Sequence, residues 1–259
     1  MSAIFLDLSA VTYSAGQKHI LHGIDLTLEA GRVYGLVGPN GSGKSSLMKI
    51  IARQVAPSGG RVELEGKPVS EWAGRAFARQ VAYMPQFTPD ADGMTVRELV
   101  ALGRFPWHGT LGRFTRTDAD MVERAIARSE LDAFANRPVA TMSGGEKQRA
   151  WIAMMLAQDA KCLLLDEPTS ALDLSHQASV LSLVHTLSQE RGLTVVIVLH
   201  DINLASRYCD EIIAMNSGRI VAKGAPAEIM NTGMLRRIFG VEIGVFSHPH
   251  TRQPVGYLM

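Results

Sequence analysis

The stretch Gly38-Pro39-Asn40-Gly41-Ser42-Gly43-Lys44-Ser45 decides the fold of this chain. It fits the phosphate-loop pattern G-x-x-x-x-G-K-[ST] at every fixed position. The glycines allow backbone N–H groups to turn inward around an anion, because they tolerate backbone angles and close approaches that a side chain would block. Lys44 is placed to reach the β- and γ-phosphates of a nucleotide, and the Ser45 hydroxyl is placed to bind Mg²⁺.

The segments on either side of this loop support the same chemistry. Val33–Val37 is a short apolar strand candidate, and Ser46–Arg53 is predicted to be a helix. The N-terminus of that helix would face the phosphates, where its free N–H groups favour negative charge. A glycine-rich turn that binds nothing is the alternative, and this strand–loop–helix context disfavours it.

Size and composition are those of an ordinary globular protein. The 259 residues suit one large domain, or a domain with a sub-domain, with a substantial core. The net charge of +1 gives no general basic excess for nucleic acid or anionic lipid. Cys162 and Cys209 form no C-x-x-C pair, which argues against a cysteine metal site and fits a reducing cytosol.

No segment is predicted to enter a membrane. Met1–Asp7 lacks the basic start and long apolar core of a signal peptide. No apolar run approaches the ~20 residues that a membrane span needs. If the protein works at a membrane, we expect it to dock onto a protein that spans the bilayer.

The N-terminal part is predicted to be rich in strands. Ile4–Ser9 and Ile24–Leu28 alternate between apolar and polar residues, with a turn near Gly16. Arg61–Gly66 is a further strand and hairpin, after the breaker Pro57–Gly60. We expect a small antiparallel β layer beside a mixed central sheet.

From residue 87 to residue 142 the pattern becomes predominantly helical. Thr95–Gly103 has helical spacing, with Thr95 as the cap and Glu98 three residues later. The segment Pro106–Arg113 interrupts the pattern, and Thr117 is predicted to open another helix. These residues are interpreted as an inserted helical sub-domain.

Strands return after this insertion. Lys161–Asp166 and Thr194–His200 are continuous apolar runs joined by a predicted helix, His176–Glu190, which is the βαβ rhythm of a parallel sheet. Glu211–Ala222 is predicted to be a β-hairpin with a Ser-Gly turn. The tail from Ala225 is predicted to be helical to about Phe239, and residues 241–259 have no assigned structure.

Asp166 and Glu167 place two carboxylates at the end of a buried strand. In phosphate-loop ATPases the aspartate at this position helps to hold Mg²⁺. Neighbouring side chains on a strand point to opposite sides, so Glu167 is free for a different task on water. A solvated acidic strand end is the alternative, and the phosphate loop disfavours it.

Ser143-Gly144-Gly145 precedes a helical pattern that runs through Ile152. This arrangement provides a second set of backbone amides at a helix N-terminus. Alone, it would equally fit an ordinary loop and helix cap.

Taken together, these motifs resemble those of the ATP-binding subunit of an ATP-binding cassette (ABC) transporter. The resemblance runs from about Ile4 to Gly240. It implies an α/β fold with a P-loop NTPase core, in which residues 1–86 and 143–240 form the core, 87–142 the helical sub-domain and 241–259 a C-terminal tail. The matching motifs, in chain order, are Tyr13, the phosphate loop 38–45, Gln86, Met142–Glu146, Asp166-Glu167, Ser170-Ala171-Leu172-Asp173 and His200.

The resemblance implies two copies that face each other head to tail, with each ATP between the phosphate loop of one copy and Ser143-Gly144-Gly145 of the other. Glu167 would be the general base for water, while Lys44 and the metal stabilise charge and His200 positions the water. The residues implied to contact ATP are Tyr13, Gly38, Pro39, Asn40, Gly41, Ser42, Gly43, Lys44, Ser45, Ser46, Gln86, Ser143, Gly144, Gly145 and Asp173; those implied to contact Mg²⁺ are Ser45, Gln86 and Asp166.

Simpler interpretations exist for three of these residues. His200 after an apolar strand and Gln86 after a proline are also common as structural caps, and Tyr13 could be a core aromatic rather than an adenine stacker. The sequence departs from the family pattern at Glu146, where glutamine is more usual, and at Ser46, where threonine is more usual. Both phosphate-contacting residue types, serine and glycine, are intact.

Finer similarity lies in the helical part. Gly93–Val100 and Gly103–Gly109 are similar to importers of iron-siderophore complexes, haem and cobalamin. The run Pro106–Phe114, with Arg149–Met154 and Cys162–Asp166, is especially similar to ATPases of ferric hydroxamate uptake. This resemblance implies a membrane permease partner, indirectly a periplasmic or surface substrate-binding protein, and a place on the cytoplasmic face of the inner membrane.

Other functions stay open at this point. A haem or cobalamin importer is one alternative, and a non-transport ABC ATPase that acts on nucleic acid or ribosomes is another. Proteins of that second class typically carry a long coiled-coil insertion or tandem cassettes, and this chain has neither, so no nucleic-acid partner is expected. Trp107 and His108 fit a packed loop or a permease contact equally well.

Overall fold

The computed structural model describes residues 3–109, 112–170 and 172–259. Leu111 and Ala171, which belong to the similar motifs, and Met1 and Ser2 of the N-terminal segment lie outside these residues. Contacts group residues 1–71 with 184–259 as a first unit and residues 72–183 as a second. The second unit is wider than the helical segment 87–142, whose bounds as a sub-domain stay a prediction.

The strands are β1 (Ile4–Ala15), β2 (Lys18–Glu29), β3 (Val33–Val37), β4 (Gly59–Leu64), β5 (Lys67–Pro68), β6 (Val81–Met84), β7 (Cys162–Leu165), β8 (Thr194–Val198), β9 (Glu211–Asn216), β10 (Arg219–Gly224), β11 (Ile243–Ser247) and β12 (Pro254–Leu258). The α-helices are α1 (Lys44–Ile51), α2 (Gly74–Ala78), α3 (Val96–Leu102), α4 (Phe105–His108), α5 (Arg116–Arg128), α6 (Gly144–Gln158), α7 (Leu174–Arg191), α8 (Ile202–Tyr208), α9 (Pro226–Ile229) and α10 (Thr232–Phe239). Short 3₁₀ turns cover Val69–Glu71, Asp132–Phe134 and Val139–Thr141.

The first unit contains the predicted antiparallel layer, in the order β2-β1-β4-β5. Strands β1 and β2 are longer than predicted and meet at a turn where Gly16 has a φ of 59°. Leu6, Leu8 and Val11 of β1 are almost fully buried. Apolar alternation predicted only the first half of β1 and the second half of β2, while backbone pairing extends both strands to the turn.

The mixed sheet of the first unit is built around β3. This strand pairs in parallel with β8 and with β9, and β10 is antiparallel to β9. Every residue of β3 and β8 is buried, as their continuous apolar runs predict. The Leu199 N–H donates to the Leu36 carbonyl at 3.1 Å. The phosphate loop and His200 therefore follow the carboxyl ends of two adjacent parallel strands, where α/β sheets place their ligands.

The second unit pairs β6 with β7 in parallel and contains the helices α2 to α6. The predicted capping box of α3 is present: Thr95 and Glu98 satisfy each other's backbone N–H groups. The predicted start of the next helix at Thr117 is wrong. Helix α5 begins at Arg116 with Thr115 as its cap, because Asp118 accepts hydrogen bonds from the N–H and hydroxyl of Thr115.

The predicted interruption at Pro106–Arg113 is wrong in its first part. Phe105–His108 forms the one-turn helix α4, with Pro106 in its first turn. Proline is tolerated there because the N–H it lacks would have no partner within the helix.

The C-terminal tail is more ordered than its sequence indicated. Helix α9 ends at Ile229 and helix α10 ends at Phe239, the predicted end of the helical tail, but residues 243–258 form the hairpin β11–β12. Gly244 and Gly256 break the apolar alternation that would reveal these strands. A Cβ on Gly244 would lie 2.4 Å from the Tyr257 ring, so the glycine makes room for that ring. Among the helices described, none is both long and apolar enough to cross a membrane.

Candidate functional site

The phosphate loop joins β3 to α1 with a backbone that requires glycine. Gly38 has a φ of 143° and Gly43 a φ of 99°, both in the left-handed half of conformational space. A Cβ on Gly38 would lie 2.0 Å from the Met215 carbonyl oxygen, and one on Gly43 would lie 2.6 Å from Leu21. The loop therefore packs so closely against β9 and β2 that neither Gly38 nor Gly43 has room for a side chain.

Lys44 lies folded over this loop. Its side chain is buried, and its ammonium group donates to the carbonyls of Gly38 at 2.8 Å and Pro39 at 3.0 Å. The Ser42 hydroxyl is also buried, and its oxygen has no hydrogen-bond partner among the described residues. Buried polar atoms are normally satisfied, so this oxygen and the loop amides fit an anionic ligand.

The remaining loop residues divide by exposure. Asn40 and Gly41 lie at the exposed tip, Pro39 is half-buried, and Ser45 and Ser46 are half-buried in the first turn of α1. The two hydroxyls therefore stand at the helix end that favours negative charge.

Two further predicted residues lie in the same unit. His200 is exposed, directly beyond the carboxyl end of β8. Tyr13 lies in β1, half-buried, opposite Leu21 of β2. Leu21 in turn packs against Gly43 of the phosphate loop. Leu21 therefore lies between Tyr13 and this loop.

Asp166 and Glu167 have different environments in the second unit, although both follow the end of β7 and strand alternation does not extend to them. Asp166 is 1% exposed, and its carboxylate accepts a long hydrogen bond of 3.4 Å from the Tyr83 hydroxyl. Burial, and then the charge of Asp166, raises the pKa of Tyr83, so Tyr83 stays a hydrogen-bond donor. Tyr83 was not predicted as a site residue, because its contact with Asp166 depends on the pairing of β6 with β7.

Glu167 has a left-handed backbone with a φ of 54°. This conformation is uncommon for a residue other than glycine and is found disproportionately at functional sites. Its carboxylate accepts a hydrogen bond of 2.7 Å from the Gln86 side-chain amide. Two residues predicted to share one site are thus in direct contact.

Ser143 is the N-cap of α6, as predicted. Its hydroxyl accepts from the Glu146 N–H at 3.3 Å, and the Glu146 carboxylate accepts from the Ser143 N–H at 2.8 Å. Hydrogen bonds from Ser143, first through its backbone, lower the pKa of Glu146. The unusual glutamate therefore completes a capping box and stays ionised. Ser143 and Gly144 are exposed, while Gly145 is buried.

Asp173 caps the beginning of α7. Its Oδ1 atom accepts from the His176 N–H at 2.9 Å, the Ser175 hydroxyl at 2.8 Å and His176 Nδ1 at 2.8 Å. These hydrogen bonds lower the pKa of Asp173. Sequence reasoning did not single out His176, although an aspartate followed by a histidine three residues later at a helix start is a recognisable capping arrangement.

The donor set fits Mg²⁺ better than a metal held by protein alone. Within residues 3–109, 112–170 and 172–259, no group of three His, Cys, Asp or Glu side chains could hold a metal ion. Magnesium does not need such a group, because it keeps several waters and binds through one or two carboxylates and the phosphates of its substrate. Asp166 and the hydroxyl of Ser45 are oxygen donors of that kind.

Trp107 packs against residues of the second unit. Its indole N–H donates to the Gln158 carbonyl at 2.7 Å, and the guanidinium groups of Arg79 and Arg104 lie 4.8 and 4.9 Å from its ring centroid. These contacts support the packed-loop interpretation for Trp107. His108 lies edge-on to Phe105 and Phe114, at centroid distances of 6.3 and 5.9 Å.

Comparison with known proteins agrees with this geometry. The ABC transporter family profile matches residues 21–170. The iron(3+)-hydroxamate import ATP-binding protein FhuC of Bacillus subtilis strain 168 is 37% identical, over 93% of this chain and 89% of that protein. The hemin import ATP-binding protein HmuV of Streptomyces coelicolor is 43% identical, over 91% and 83%.

A solved structure is similar along most of its length. The ATP-binding cassette MJ0796, in a dimeric post-hydrolysis state bound to ADP and Pi, has a TM-score of 0.74 and 28% identity, over 85% of this chain and 98% of that one. The residues matched by the family profile include the phosphate loop, the Ser143-Gly144-Gly145 segment and the Asp166-Glu167 strand end. The chain therefore belongs to the ABC transporter family, as one of its ATP-binding and ATP-hydrolysing subunits.

Proposed function

We propose that this protein supplies the energy for import of ferric hydroxamate siderophores, through ATP-driven closure of two copies arranged head to tail. One observation carries the closure model. Ser143 and Gly144 stand exposed at the N-terminus of the 15-residue helix α6. The capping box satisfies the N–H groups of Ser143 and Glu146, which leaves the N–H groups of Gly144 and Gly145 as the helix-terminal donors with no carbonyl four residues earlier in the helix. Such a terminus is suited to phosphate brought by another molecule. The dimeric state of the similar cassette MJ0796 supports the same arrangement.

In this proposal each side chain has a separate task in hydrolysis. The loop amides and Lys44 bind the β- and γ-phosphates, and Tyr13 stacks on adenine. Glu167 takes the proton of the attacking water, and Gln86 holds the Glu167 carboxylate in one orientation through the 2.7 Å hydrogen bond. His200 positions that water, and Asp173 lies where the two copies meet.

Magnesium would be held by Ser45, Gln86 and Asp166 and would neutralise phosphate charge. The position of Asp166, directly beyond the carboxyl end of β7, supports this assignment, because carboxylate oxygens are ligands that Mg²⁺ prefers.

The cargo and the membrane partner belong to the same proposal. The protein would dock onto an integral membrane permease at the cytoplasmic face of the inner membrane, with a substrate-binding protein on the other side. The Bacillus relative is an iron(3+)-hydroxamate import protein, and this similarity supports a ferric hydroxamate as the cargo. The similarity of Pro106–Phe114 to hydroxamate-uptake ATPases supports the same cargo. A haem importer is the second candidate, because the Streptomyces relative has the higher identity, 43%.

A growth experiment separates these candidates. A strain that lacks the gene is supplied with one iron source at a time: a ferric hydroxamate, a ferric catecholate or haem. We expect growth to fail only on the hydroxamate and to return with the wild-type gene but not with Glu167→Gln. Failure on haem alone would replace the proposed cargo, and undiminished growth on all three would refute a role in iron uptake.

A further inference from the structure

His176 contacts two segments that the proposed function assigns to the same task. Its Nδ1 atom bonds Asp173 Oδ1 at 2.8 Å. On the other side of the ring, an ideal Cβ built on Gly145 would lie 2.2 Å from His176 Cδ2 and 2.9 Å from Nε2. The imidazole therefore lies directly against the backbone of the signature segment.

The close approach gives Gly145 a second reason to be glycine. Real Cβ atoms essentially never approach a heavy atom within 3.0 Å, so any side chain there would displace the imidazole. Gly145 is buried, and the His176 side chain is 38% exposed. The ring thus fills the space between the start of α6 and the start of α7.

These contacts link two loops that are distant in sequence. Asp173 also accepts the Ser175 hydroxyl and the His176 N–H, so its carboxylate orientation is determined by three donors. Rotation of the His176 ring would lose one of these bonds and the packing on Gly145 together. His176 therefore connects the Asp173 loop to the Ser143-Gly144-Gly145 segment by direct contacts on both sides of its ring.

We propose that His176 is a positioning residue that acts on the ATP bound by the partner copy, by holding Asp173 and the signature segment in one arrangement. The proposal rests on the head-to-tail dimer described above. An exposed ion pair would contribute little by itself. Histidine provides both features that these contacts need: a ring nitrogen that bonds Asp173 and a flat ring that packs on the backbone of Gly145.

Two substitutions separate those properties. His176→Asn keeps an N–H donor near the Nδ1 position but removes the ring atoms that contact Gly145. His176→Phe keeps a ring but cannot bond Asp173. We expect each to lower the rate constant of hydrolysis, roughly tenfold or more, with little change in ATP affinity, since each disconnects one of the two loops. Wild-type turnover in either variant would overturn the proposal.

The decisive experiment identifies the copy on which nucleotide is no longer trapped by vanadate after hydrolysis. Mixed dimers of two differently sized tagged copies, assembled with the permease, carry His176→Ala in one copy only. Azido-ATP is trapped with orthovanadate and photo-crosslinked, and the label on each copy is read from a gel. We expect the label to fall at least fivefold on the wild-type copy and to persist on the variant copy.

Controls distinguish this proposal from the dimer on which it rests. Lys44→Ala in one copy should remove label from that same copy, and Ser143→Arg should remove it from the partner. If Ser143→Arg does not act on the partner, the head-to-tail site itself is refuted. If Ser143→Arg does so but His176→Ala removes label from its own copy, from both copies equally or from neither, the role of His176 is refuted.

His185 provides a matched control on the same helix. Its Nδ1 bonds the Tyr208 carbonyl at 3.0 Å, within the first unit. His185→Ala should leave the labelling of the two copies symmetric. If His185→Ala also removed label from one copy only, loss of any histidine from α7 would have this effect. That result would overturn the assignment of the positioning role to His176.

Discussion

The side-chain amide of Gln86 donates a 2.7 Å hydrogen bond to the carboxylate of Glu167, across 81 residues of sequence. Gln86 follows β6 and Glu167 follows β7, and the parallel pairing of Met84 with Leu165 brings the two strand ends together. A residue predicted to act as general base is thereby oriented by a residue predicted to contact ATP and Mg²⁺. Any change that moves Gln86 will also change the orientation of the Glu167 carboxylate.

Glu167→Gln should abolish steady-state ATP hydrolysis and preserve ATP binding. The amide is nearly isosteric with the carboxylate but cannot accept the proton of water. Turnover by phosphate release and affinity by equilibrium binding would measure the two effects. Glu190→Gln, at an exposed position of α7, is the control. A turnover within twofold of wild type for Glu167→Gln would remove Glu167 as the base.

Gln86→Ala should lower the rate constant of hydrolysis roughly ten- to hundredfold. A hydrogen bond to a charged group contributes about 1.5–3 kcal/mol, and 1.36 kcal/mol corresponds to a factor of ten in rate. ATP affinity should change little if the amide acts only on the base. Steady-state kinetics of the single and double variants would test this expectation: Gln86→Ala should add nothing once Glu167→Gln is present. An additive effect would show that Gln86 acts elsewhere.

Lys44→Ala should weaken ATP binding at least a hundredfold or eliminate turnover. The buried ammonium group is held over the loop by two carbonyls and is placed for phosphate. Lys49→Ala, on the exposed side of the same helix, should bind ATP normally. Isothermal titration of both variants provides the measurement. Normal binding and turnover by Lys44→Ala would contradict the assignment of this loop to phosphate.

Asp118→Asn should destabilise residues 72–183 by about 3–5 kcal/mol at neutral pH, because it leaves the buried Arg104 guanidinium without its charge partner. Burial of Asp118 opposes its ionisation, but hydrogen bonds from Thr115 and then Arg104 outweigh burial and lower its pKa to about 2. A depressed carboxyl pKa stabilises the fold above the unfolded pKa of about 3.9. That stabilisation is lost as the pH falls from about 4 towards 2.

Urea unfolding of the wild type and Asp118→Asn between pH 7 and pH 3 would test this dependence. The difference in unfolding free energy between the two proteins should shrink as the acid range is entered. Asp120→Asn, at an exposed position of the same helix, should cost less than about 0.5 kcal/mol. A difference that stays constant down to pH 3 would contradict the role of the Asp118 charge.

Asn203→Ala should loosen the C-terminal hairpin from α8. The Asn203 amide accepts from the Gly256 N–H at 2.7 Å and donates to the Gly256 carbonyl at 3.1 Å. Loss of both bonds should speed hydrogen exchange of the Gly256 amide at least tenfold. Arg207→Ala, exposed on the same helix, should leave that exchange unchanged. Unchanged exchange in Asn203→Ala would show that other contacts hold β12.

Several features were predictable because their causes are local. The phosphate loop carries its glycines, lysine and serine within eight residues, and the Val33–Val37 strand was predicted at its observed bounds. The caps of α3 and α6 depend on side chains three residues apart. The Ser217-Gly218 hairpin turn was predicted from the Ser-Gly pair between two strand patterns, and both residues have a positive φ, 47° and 72°.

Errors arose where local patterns were weak or equivocal. Thr115 and Thr117 are both good helix caps, and only the position of the Asp118 side chain selects Thr115. The hairpin β11–β12 was missed because glycines interrupt its alternation, and its stability depends on contact with α8, roughly 50 residues earlier.

By itself, the sequence determined the chemical groups available to this protein. These are a phosphate-binding loop, a pair of carboxylates at a strand end and a second set of backbone amides at a helix N-terminus. Tertiary structure alone decided which residues act on one another. Gln86 meets Glu167 because two strands pair in parallel, and His176 meets Gly145 because two helix starts pack together. Such contacts depend on pairing and packing between distant segments, and no short window of sequence contains both partners.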